Sequence, residues 1–153
     1  MSVVGVISDT HGLLRPQALD ALRGVAQIVH AGDVGAPEIL TALQGIAPVT
    51  AVRGNVDRGA LARSLPATAL LEVAGIRLYV LHDLADLDLD PGALGFSIVI
   101  SGHTHVPTAE RRGGVLYLNP GSAGPRRFEL PVTVARITFG VGGPRPEIVE
   151  LAL

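Results

Sequence analysis

The order of apolar segments and chain breakers constrains the fold of this chain more than any other feature. In residues 3–52, three short apolar runs alternate with two segments of helical spacing, each with a proline near its start and a glycine at its end. The runs read VVGVI, AQIVH and PVTAV, and the segments between them read RPQALDALRG and APEILTALQG. Strands that alternate with helices form a parallel sheet with the helices packed on it. The first third of the chain therefore predicts a β-α-β-α-β unit.

After Pro66 the pattern changes and strands dominate. TALLEV and IRLYVL flank Ala74 and Gly75, which is typical of an antiparallel hairpin. FSIVI, GVLYLN and VTVARITF are predicted to be further strands, and PEIVELAL is expected to close an edge. Many strands with few helices indicate two sheets packed together with helices outside. Because no repeat, linker or low-complexity tract interrupts the chain, residues 1–153 are predicted to form one domain.

Composition excludes several classes of protein. Apolar residues make up 48% of the chain, but no run approaches the roughly 18 apolar residues of a membrane span, and no signal peptide is indicated. The absence of cysteine excludes disulfides and thiolate metal sites. The net charge of −2 argues against nucleic acid as a partner, because binding a phosphate backbone needs a positive surface. We therefore expect a cytoplasmic protein without membrane or nucleic-acid partners. The sequence does not exclude a homo-oligomer.

The paired arginines at 111–112 and 126–127 are interpreted as solvated loop charges rather than as a binding patch. His30 lies inside an apolar run and is interpreted as a buried structural histidine. In DLADLDLDPG, the spacing of Asp86, Asp88 and Asp90 matches a calcium loop, but Pro91 stands where such a loop needs glycine. We therefore predict a polar loop or short helix there and no calcium site.

Side chains that can bind metal follow nearly every strand of the predicted sheets. They are Asp9 and His11 after the first strand, Asp33 after the second, Asn55 after the third, His82 after the hairpin, and His103 and His105 after FSIVI. Ligands bind at the carboxyl ends of strands in parallel α/β sheets. Any one residue alone has a simpler explanation, such as a turn cap or a buried histidine. All seven together, with a glycine directly before Asp33, Asn55 and His103, predict a metal centre.

The mixture of ligands indicates the kind of metal. Imidazole and carboxylate without sulfur suit Mn²⁺, Fe, Zn²⁺, Co²⁺ or Ni²⁺ better than Ca²⁺. Seven ligands are too many for one tetrahedral ion but fit two ions that share a bridging carboxylate. Two such ions can clamp a phosphate for in-line displacement and lower the pKa of a bridging water. The sequence therefore predicts two divalent ions, with Mn²⁺ preferred.

The order and spacing of these motifs resemble the calcineurin-like metallophosphoesterases. The series is Asp9-Thr-His11, Gly32-Asp33, Gly54-Asn55, His82 and Gly102-His103-Thr-His105, and it extends over residues 3–139. The added GNVD and NPGS motifs resemble those of the small bacterial and archaeal phosphodiesterase branch. The resemblance implies a four-layer α/β/β/α sandwich of two mixed β-sheets flanked by helices.

The resemblance also implies a role for each ligand. It places Asp9, His11 and His105 on the first ion, and Asn55, His82 and His103 on the second, with Asp33 bridging the two. Asn55 would also orient the ester, and His103 would help to neutralise charge on the phosphoryl oxygens. A hydroxide that bridges the ions would attack phosphorus, and the NPGS loop would support the site. The expected activity is a dinuclear metal-dependent phosphoesterase, most simply a phosphodiesterase acting on a small phosphate ester.

Three departures from the family pattern qualify this expectation. Val56 stands where the protein Ser/Thr phosphatases carry a histidine, and GDVGAPE lacks their arginine, so protein phosphatase activity is not expected. Asp83 follows His82 where many relatives have Gly-His. Without the histidine, no residue in GNVDRGA is an obvious acid for the leaving group, and Asp57 is the first to test.

A non-enzymatic alternative uses the same fold. A retromer subunit that resembles this branch acts as a protein-binding scaffold, and it has a carboxylate where this chain has Asn55. The intact set of ligands in this chain favours the enzyme.

Overall fold

The computed structural model describes residues 2–153, and these form two five-stranded mixed sheets with few helices. The strands are β1 (Ser2–Ile7), β2 (Gln27–His30), β3 (Val49–Ala51), β4 (Thr68–Val73), β5 (Ile76–Leu81), β6 (Ile98–Ile100), β7 (Thr108–Arg112), β8 (Val115–Asn119), β9 (Thr133–Gly140) and β10 (Gly143–Glu150). The helices are α1 (Pro16–Ala21), α2 (Pro37–Gln44) and α3 (Gly59–Ser64), with a 3₁₀ turn at Leu84–Asp86. No helix among the described residues is long and apolar enough to cross a membrane.

The first sheet has the order β10-β9-β1-β2-β3. Strands β1, β2 and β3 run parallel, and their register aligns Ile7 with His30 and His30 with Ala51. Strands β9 and β10 add to it antiparallel. Because the three parallel strands end level with one another, the loops that follow them meet at one edge.

The second sheet has the order β4-β5-β6-β8-β7. Its central strands β5, β6 and β8 run parallel, and the outer strands β4 and β7 are antiparallel to their neighbours. The carboxyl ends of β5 and β6 lie in adjacent positions, because Val80 aligns with Ile100. The loops that carry His82 and the GHTH motif therefore start side by side.

The main core lies between the two sheets. Buried aliphatic side chains of β1 and β2, among them Val4, Val6 and Val29, pack in one cluster with Leu78, Ile98 and others from the second sheet. Helices α1 and α2 cover the outer face of the first sheet with Ala18, Leu22, Ile39 and Leu43. Both begin with a proline in the first turn, as predicted, since this residue has no N–H to leave unpaired there. The outer face of the second sheet is covered by the segment that contains the 3₁₀ turn, so this fourth layer has little helix.

Two elements were not predicted. Strand β7 was missed, and the pair Arg111 and Arg112 belongs to it rather than to a loop. Every β7 side chain is exposed, so its sequence TAERR has no apolar alternation. Helix α3 was missed because it buries no residue fully. The predicted edge strand at PEIVELAL does close an edge of the first sheet, but it begins earlier, at Gly143, and carries two prolines that an edge tolerates.

Candidate metal centre

The loops after β1, β2, β3, β5 and β6 bring the seven predicted ligands to one end of the two sheets. Five of them have positive φ angles between 47° and 71°, namely Asp9, His11, Asp33, His103 and His105. Only two other non-glycine residues among 2–153 share this conformation, Ala74 and Phe128. Left-handed backbone at such residues is uncommon, and it concentrates where surrounding structure enforces it at functional sites. Five of the seven predicted ligands therefore have a strained backbone, which supports a functional role for the cluster.

Asp9 lies at the centre of the buried part of the cluster. Its Oδ1 atom is 3.3 Å from His105 Nε2, 3.7 Å from His11 Nε2 and 3.9 Å from His82 Nε2. The side chain of Asp9 has no exposed surface. Asp9, His11 and His105 place their ligand atoms close enough to share one ion.

Asp33 lies between His11 and His82, the histidines that the family resemblance places on different ions. Its Oδ2 atom is 3.2 Å from His82 Nε2 and 3.6 Å from His11 Nε2. Asp33, His82 and Asp9 form a second group whose ligand atoms could share an ion. The two groups have Asp9 in common, and Asp33 Oδ2 also lies near His11, a member of the first group.

Asn55 and His103 lie together on the solvent side of this cluster. His103 Nδ1 is 3.2 Å from Asn55 Oδ1, and the His103 ring packs edge-on against the His82 ring with 5.3 Å between centroids. On its other side, His103 Nε2 is 3.6 Å from Asp83 Oδ2. Both residues are therefore placed where a substrate could reach them from solvent.

Hydrogen bonds hold one oxygen of each central carboxylate and leave the other free. Asp9 Oδ2 accepts from the Ser8 hydroxyl at 2.7 Å and from the His103 N–H at 3.1 Å. Asp33 Oδ1 accepts from the Val56 N–H at 3.0 Å. His82 Nδ1 donates to the Ala31 carbonyl at 2.7 Å, so Nε2 is the atom of the neutral ring that can bind a metal. The atoms outside these hydrogen bonds are Asp9 Oδ1, Asp33 Oδ2 and His82 Nε2, and they face one another.

Buried polar atoms without partners show that the cluster fits a cation. Asp9 Oδ1, His11 Nε2 and His82 Nε2 are buried and have no hydrogen-bond partner. Unpaired polar atoms are costly to bury and rare in folded proteins. Carboxylate oxygens and neutral imidazole nitrogens that converge in this way are ligands for a borderline divalent ion.

Burial and neighbouring groups shift the pKa values of several residues in the cluster. Burial raises the pKa of Asp9, so that its ionised form is unfavourable without a neighbouring cation. Burial acts in the same direction on Asp33, but the His82 ring and the Val56 N–H outweigh it and lower the pKa of Asp33 to about 2. Burial lowers the pKa of His105, which favours the neutral ring that a metal requires.

Close backbone approaches explain two of the glycines in the motifs. A Cβ atom at Gly54 would collide with the backbone and carboxylate of Asp33, and one at Gly102 would collide with the Ser8 hydroxyl and lie 2.6 Å from Asp9 Oδ2. Any larger residue would therefore displace a central carboxylate.

Asp57 ties two loops of the site together. Its carboxylate is buried and accepts three backbone N–H groups, from Gly54 at 2.9 Å, Gly35 at 3.0 Å and Val34 at 3.2 Å. These bonds join the loop after β2 to the loop after β3. They occupy the carboxylate that sequence reasoning named as the first candidate acid, and they support a structural role for it.

The NPGS segment supports the site, as its resemblance implied. Asn119 Nδ2 donates to the Gly102 carbonyl at 2.9 Å, and the Ser122 hydroxyl donates to the Asp9 carbonyl at 3.0 Å. Sequence reasoning missed Ser8, although its position directly before Asp9 was a signal for a supporting hydroxyl.

His30 is buried, as predicted, and it orders the loops that carry Asp9 and Asp33. Its Nδ1 accepts from the Gly32 N–H at 3.1 Å, so Nε2 carries the proton and donates to the Thr10 hydroxyl at 3.0 Å. Thr10 in turn donates to the Val34 carbonyl at 2.8 Å. Burial lowers the pKa of His30 to about 4. The neutral ring thus links the two loops.

Replacement of His30 tests this network through the pH dependence of stability. Between pH 6.5 and 4 the unfolded chain binds a proton at His30 that the folded chain does not, so stability is lost as the pH falls through this range. We expect the free energy of unfolding of the metal-free protein to fall by roughly 3 kcal/mol more in the wild type than in His30→Gln. Urea unfolding at pH 7, 6, 5 and 4 measures this difference, in which the other titrating groups cancel. Parallel curves for the two proteins would mean that His30 takes up its proton in the folded state.

Comparison with known proteins assigns the chain to a family. Residues 1–140 match the model of the calcineurin-like phosphoesterase superfamily domain. A probable metallophosphoesterase of Methanothermobacter thermautotrophicus is 40% identical over 148 residues, covering 88% of this chain and 86% of its own. Phosphodiesterase YfcE of Escherichia coli K12 is 35% identical over 141 residues, covering 75% of this chain and 76% of its own.

Solved structures of a phosphodiesterase and of Vps29 share the fold of this chain. A structure described as that of a novel archaeal phosphodiesterase aligns with a TM-score of 0.80 and 20% identity, covering 96% of this chain and 99% of its own. Vps29 of Chaetomium thermophilum aligns with a TM-score of 0.77 and 16% identity, covering 99% of this chain and 97% of its own. At these identities the likeness concerns the fold alone, whereas the family match and the closer relatives concern the enzyme class. The chain belongs to the calcineurin-like phosphoesterase superfamily, in which it is a metal-dependent phosphoesterase of the small archaeal and bacterial branch.

Proposed function

We propose that this protein is a dinuclear phosphodiesterase that hydrolyses small phosphate esters with two divalent ions, Mn²⁺ being the preferred metal. The observation that carries the proposal is the set of buried, unpartnered ligand atoms that converge between Asp9 and Asp33. When bound, two ions lower the pKa of a shared water and neutralise charge on the phosphate during in-line displacement. The diester preference is supported by the similarity to YfcE, a phosphodiesterase.

The proposed ligand roles follow the positions of the side chains. Asp9, His11 and His105 would hold the first ion, because their ligand atoms form one buried group. His82, with Asn55 and His103 on the solvent side, would hold the second. Asp33 would bridge, since its Oδ2 lies beside one histidine of each set.

Asn55 and His103 are proposed to act on the substrate as well. They are the ligands on the solvent side of the cluster, and the Asn55 amide can donate to a phosphoryl oxygen while its carbonyl oxygen faces His103. The partly exposed Asp83 carboxylate beside His103 Nε2 would orient that ring.

A substrate screen tests the proposed reaction. Mn²⁺-loaded protein is assayed with bis(4-nitrophenyl) phosphate, 4-nitrophenyl phosphate and cyclic nucleotides, with His105→Ala as the matched control. We expect turnover of the diester to exceed that of the monoester and the control to lose most activity. A clear preference for the monoester would contradict the diesterase assignment. Full metal loading without hydrolysis of any ester would support the alternative of a protein-binding scaffold on the same fold instead.

The lack of an acid at position 56 predicts a steep dependence on the leaving group. Val56 is partly exposed beside Asn55 and cannot donate a proton, and Asp57 is held by three backbone N–H groups. A general acid is typically worth 10²–10⁴-fold, and we expect kcat/KM for aryl ethyl phosphates to fall by at least about 10²-fold from the most to the least acidic phenol.

The variant Val56→His, with Val56→Gln as the control, measures whether the missing acid causes this dependence. The histidine should raise turnover of the least acidic phenol ester selectively, and the glutamine should not. A dependence that is already flat in the wild type would mean that another residue supplies the proton.

A further inference from the structure

A cavity of about 500 Å³ opens beside the second half of the metal centre. Asn55 and His82 form its boundary with the centre, and the buried side chains of Tyr79 and Leu81 also line it. His82 is only 6% exposed, and its Nε2 has no hydrogen-bond partner. A phosphate held at the centre would therefore have its organic group next to this cavity.

Three carboxylates give the cavity its charge. Asp83, Asp86 and Asp88 line it, and the only cationic side chain among the lining residues is Arg53. Arg53 already donates from Nη1 to the Leu65 carbonyl at 2.8 Å. Asp83 also has partners, since it accepts from the Ala85 N–H and lies near His103.

Asp86 and Asp88 are the carboxylates that remain available to a ligand. Both are exposed, and within residues 2–153 neither forms an ion pair. The segment that carries them departs from a calcium loop and leaves them on the rim of a cavity that contains apolar surface. Such a cavity attracts a group with a positive charge on a short alkyl chain and repels an additional anion.

We propose that the substrates are phosphate esters of amino alcohols, with the ammonium group in the cavity and the phosphate at the metal centre. This inference rests on the proposed function and specifies its substrate class. Because the rim is acidic, esters whose organic group carries a carboxylate or further phosphates are poor ligands. The ammonium group interacts with exposed carboxylates through water, so each charge contributes a modest factor.

The test compares three phosphate monoesters that differ only at the end of a short chain, namely 2-aminoethyl, propyl and 2-carboxyethyl phosphate. Each has one organic group, and at pH 8 each phosphate carries two negative charges. Calorimetry on the Mn²⁺-loaded protein gives the dissociation constants, and inhibition of aryl diester hydrolysis gives independent values. We expect 2-aminoethyl phosphate to bind about fivefold more tightly than propyl phosphate, and 2-carboxyethyl phosphate about fivefold more weakly.

The double variant Asp86→Asn/Asp88→Asn isolates the rim. It should bring the three dissociation constants to within about twofold of one another, because the amine loses its attraction to the rim and the carboxylate loses its repulsion. Glu147→Gln/Glu150→Gln is the matched control, because it removes the same charge from β10 at the far edge of the first sheet. It should keep the wild-type preference.

The outcomes separate this inference from the proposed function. The substrate class is overturned if the wild type binds 2-aminoethyl phosphate and propyl phosphate equally well. It is also overturned if the preference for 2-aminoethyl phosphate survives in the double variant at Asp86 and Asp88. Both conclusions would hold even if aryl diesters are hydrolysed. Failure to bind any phosphate ester or to hydrolyse aryl diesters overturns the proposed function itself, and the substrate class with it.

Discussion

Asp33→Asn is expected to reduce kcat/KM for an aryl phosphodiester by about 10³-fold or more and to leave the protein unable to retain two ions. The asparagine keeps the size of the side chain and the oxygen that accepts from Val56, but it replaces the charged oxygen beside His11 and His82 with an amide. Because Asp33 is proposed to bridge the two ions, loss of this oxygen should weaken both metal positions. Loss of His11 or His82 should weaken mainly one.

Metal analysis after desalting, together with kcat/KM, measures the effect of Asp33→Asn. His11→Ala and His82→Ala are the comparison variants, and Asp90→Asn controls for removal of an acidic side chain outside the cluster. Asp9→Asn completes the set, because Asp9 Oδ1 also lies within 4 Å of three histidines. Retention of two ions at normal affinity by Asp33→Asn, with loss of both by Asp9→Asn, would assign the bridge to Asp9.

Removal of metal is expected to lower the melting temperature by about 10 °C. Ions that bind only the folded state stabilise it by roughly 3–4 kcal/mol when present at 100–1,000 times their dissociation constant, and a chain of this size gains 2–4 °C per kcal/mol. The metal-free fold must also hold two buried carboxylates side by side, with the pKa of Asp9 raised by burial.

Calorimetry of the protein before and after chelation, with the chelator removed, measures this shift. Mn²⁺ or Zn²⁺ should restore the melting temperature, and K⁺ should not. Asp33→Asn is the matched control, because it should respond much less to either treatment. An unchanged melting curve after verified metal removal would show that the cluster does not bind metal tightly in the folded state.

The seven-residue cluster could be predicted from the sequence because its residues follow strands that are easy to recognise. Runs such as residues 3–7 have no polar residue, so the point where Asp9 and His11 follow the strand is clear. Parallel strands then carry such positions to one edge, whatever the details of the loops. The predicted two-sheet fold is confirmed, and apolar runs such as those in β1 and β6 supply the core between the sheets.

Features that depend on exposed residues or on contacts distant in sequence could not be predicted. Strand β7 is recognisable only through its pairing with β8, because its own side chains are all exposed. Asp57 was considered as an acid from its place in GNVD, but its three N–H donors come from two separate loops. The cavity is likewise formed by residues from β3 to the segment after β5, and its charge follows from their packing.

The most direct test of the account is a titration of metal-free protein with Mn²⁺, in which bound metal and hydrolysis of bis(4-nitrophenyl) phosphate are measured in the same samples. If the cluster is a dinuclear catalytic centre, hydrolysis stays low while the first ion binds and reaches its maximum at two ions per chain. Full activity at one ion per chain, or two bound ions without hydrolysis, would contradict it.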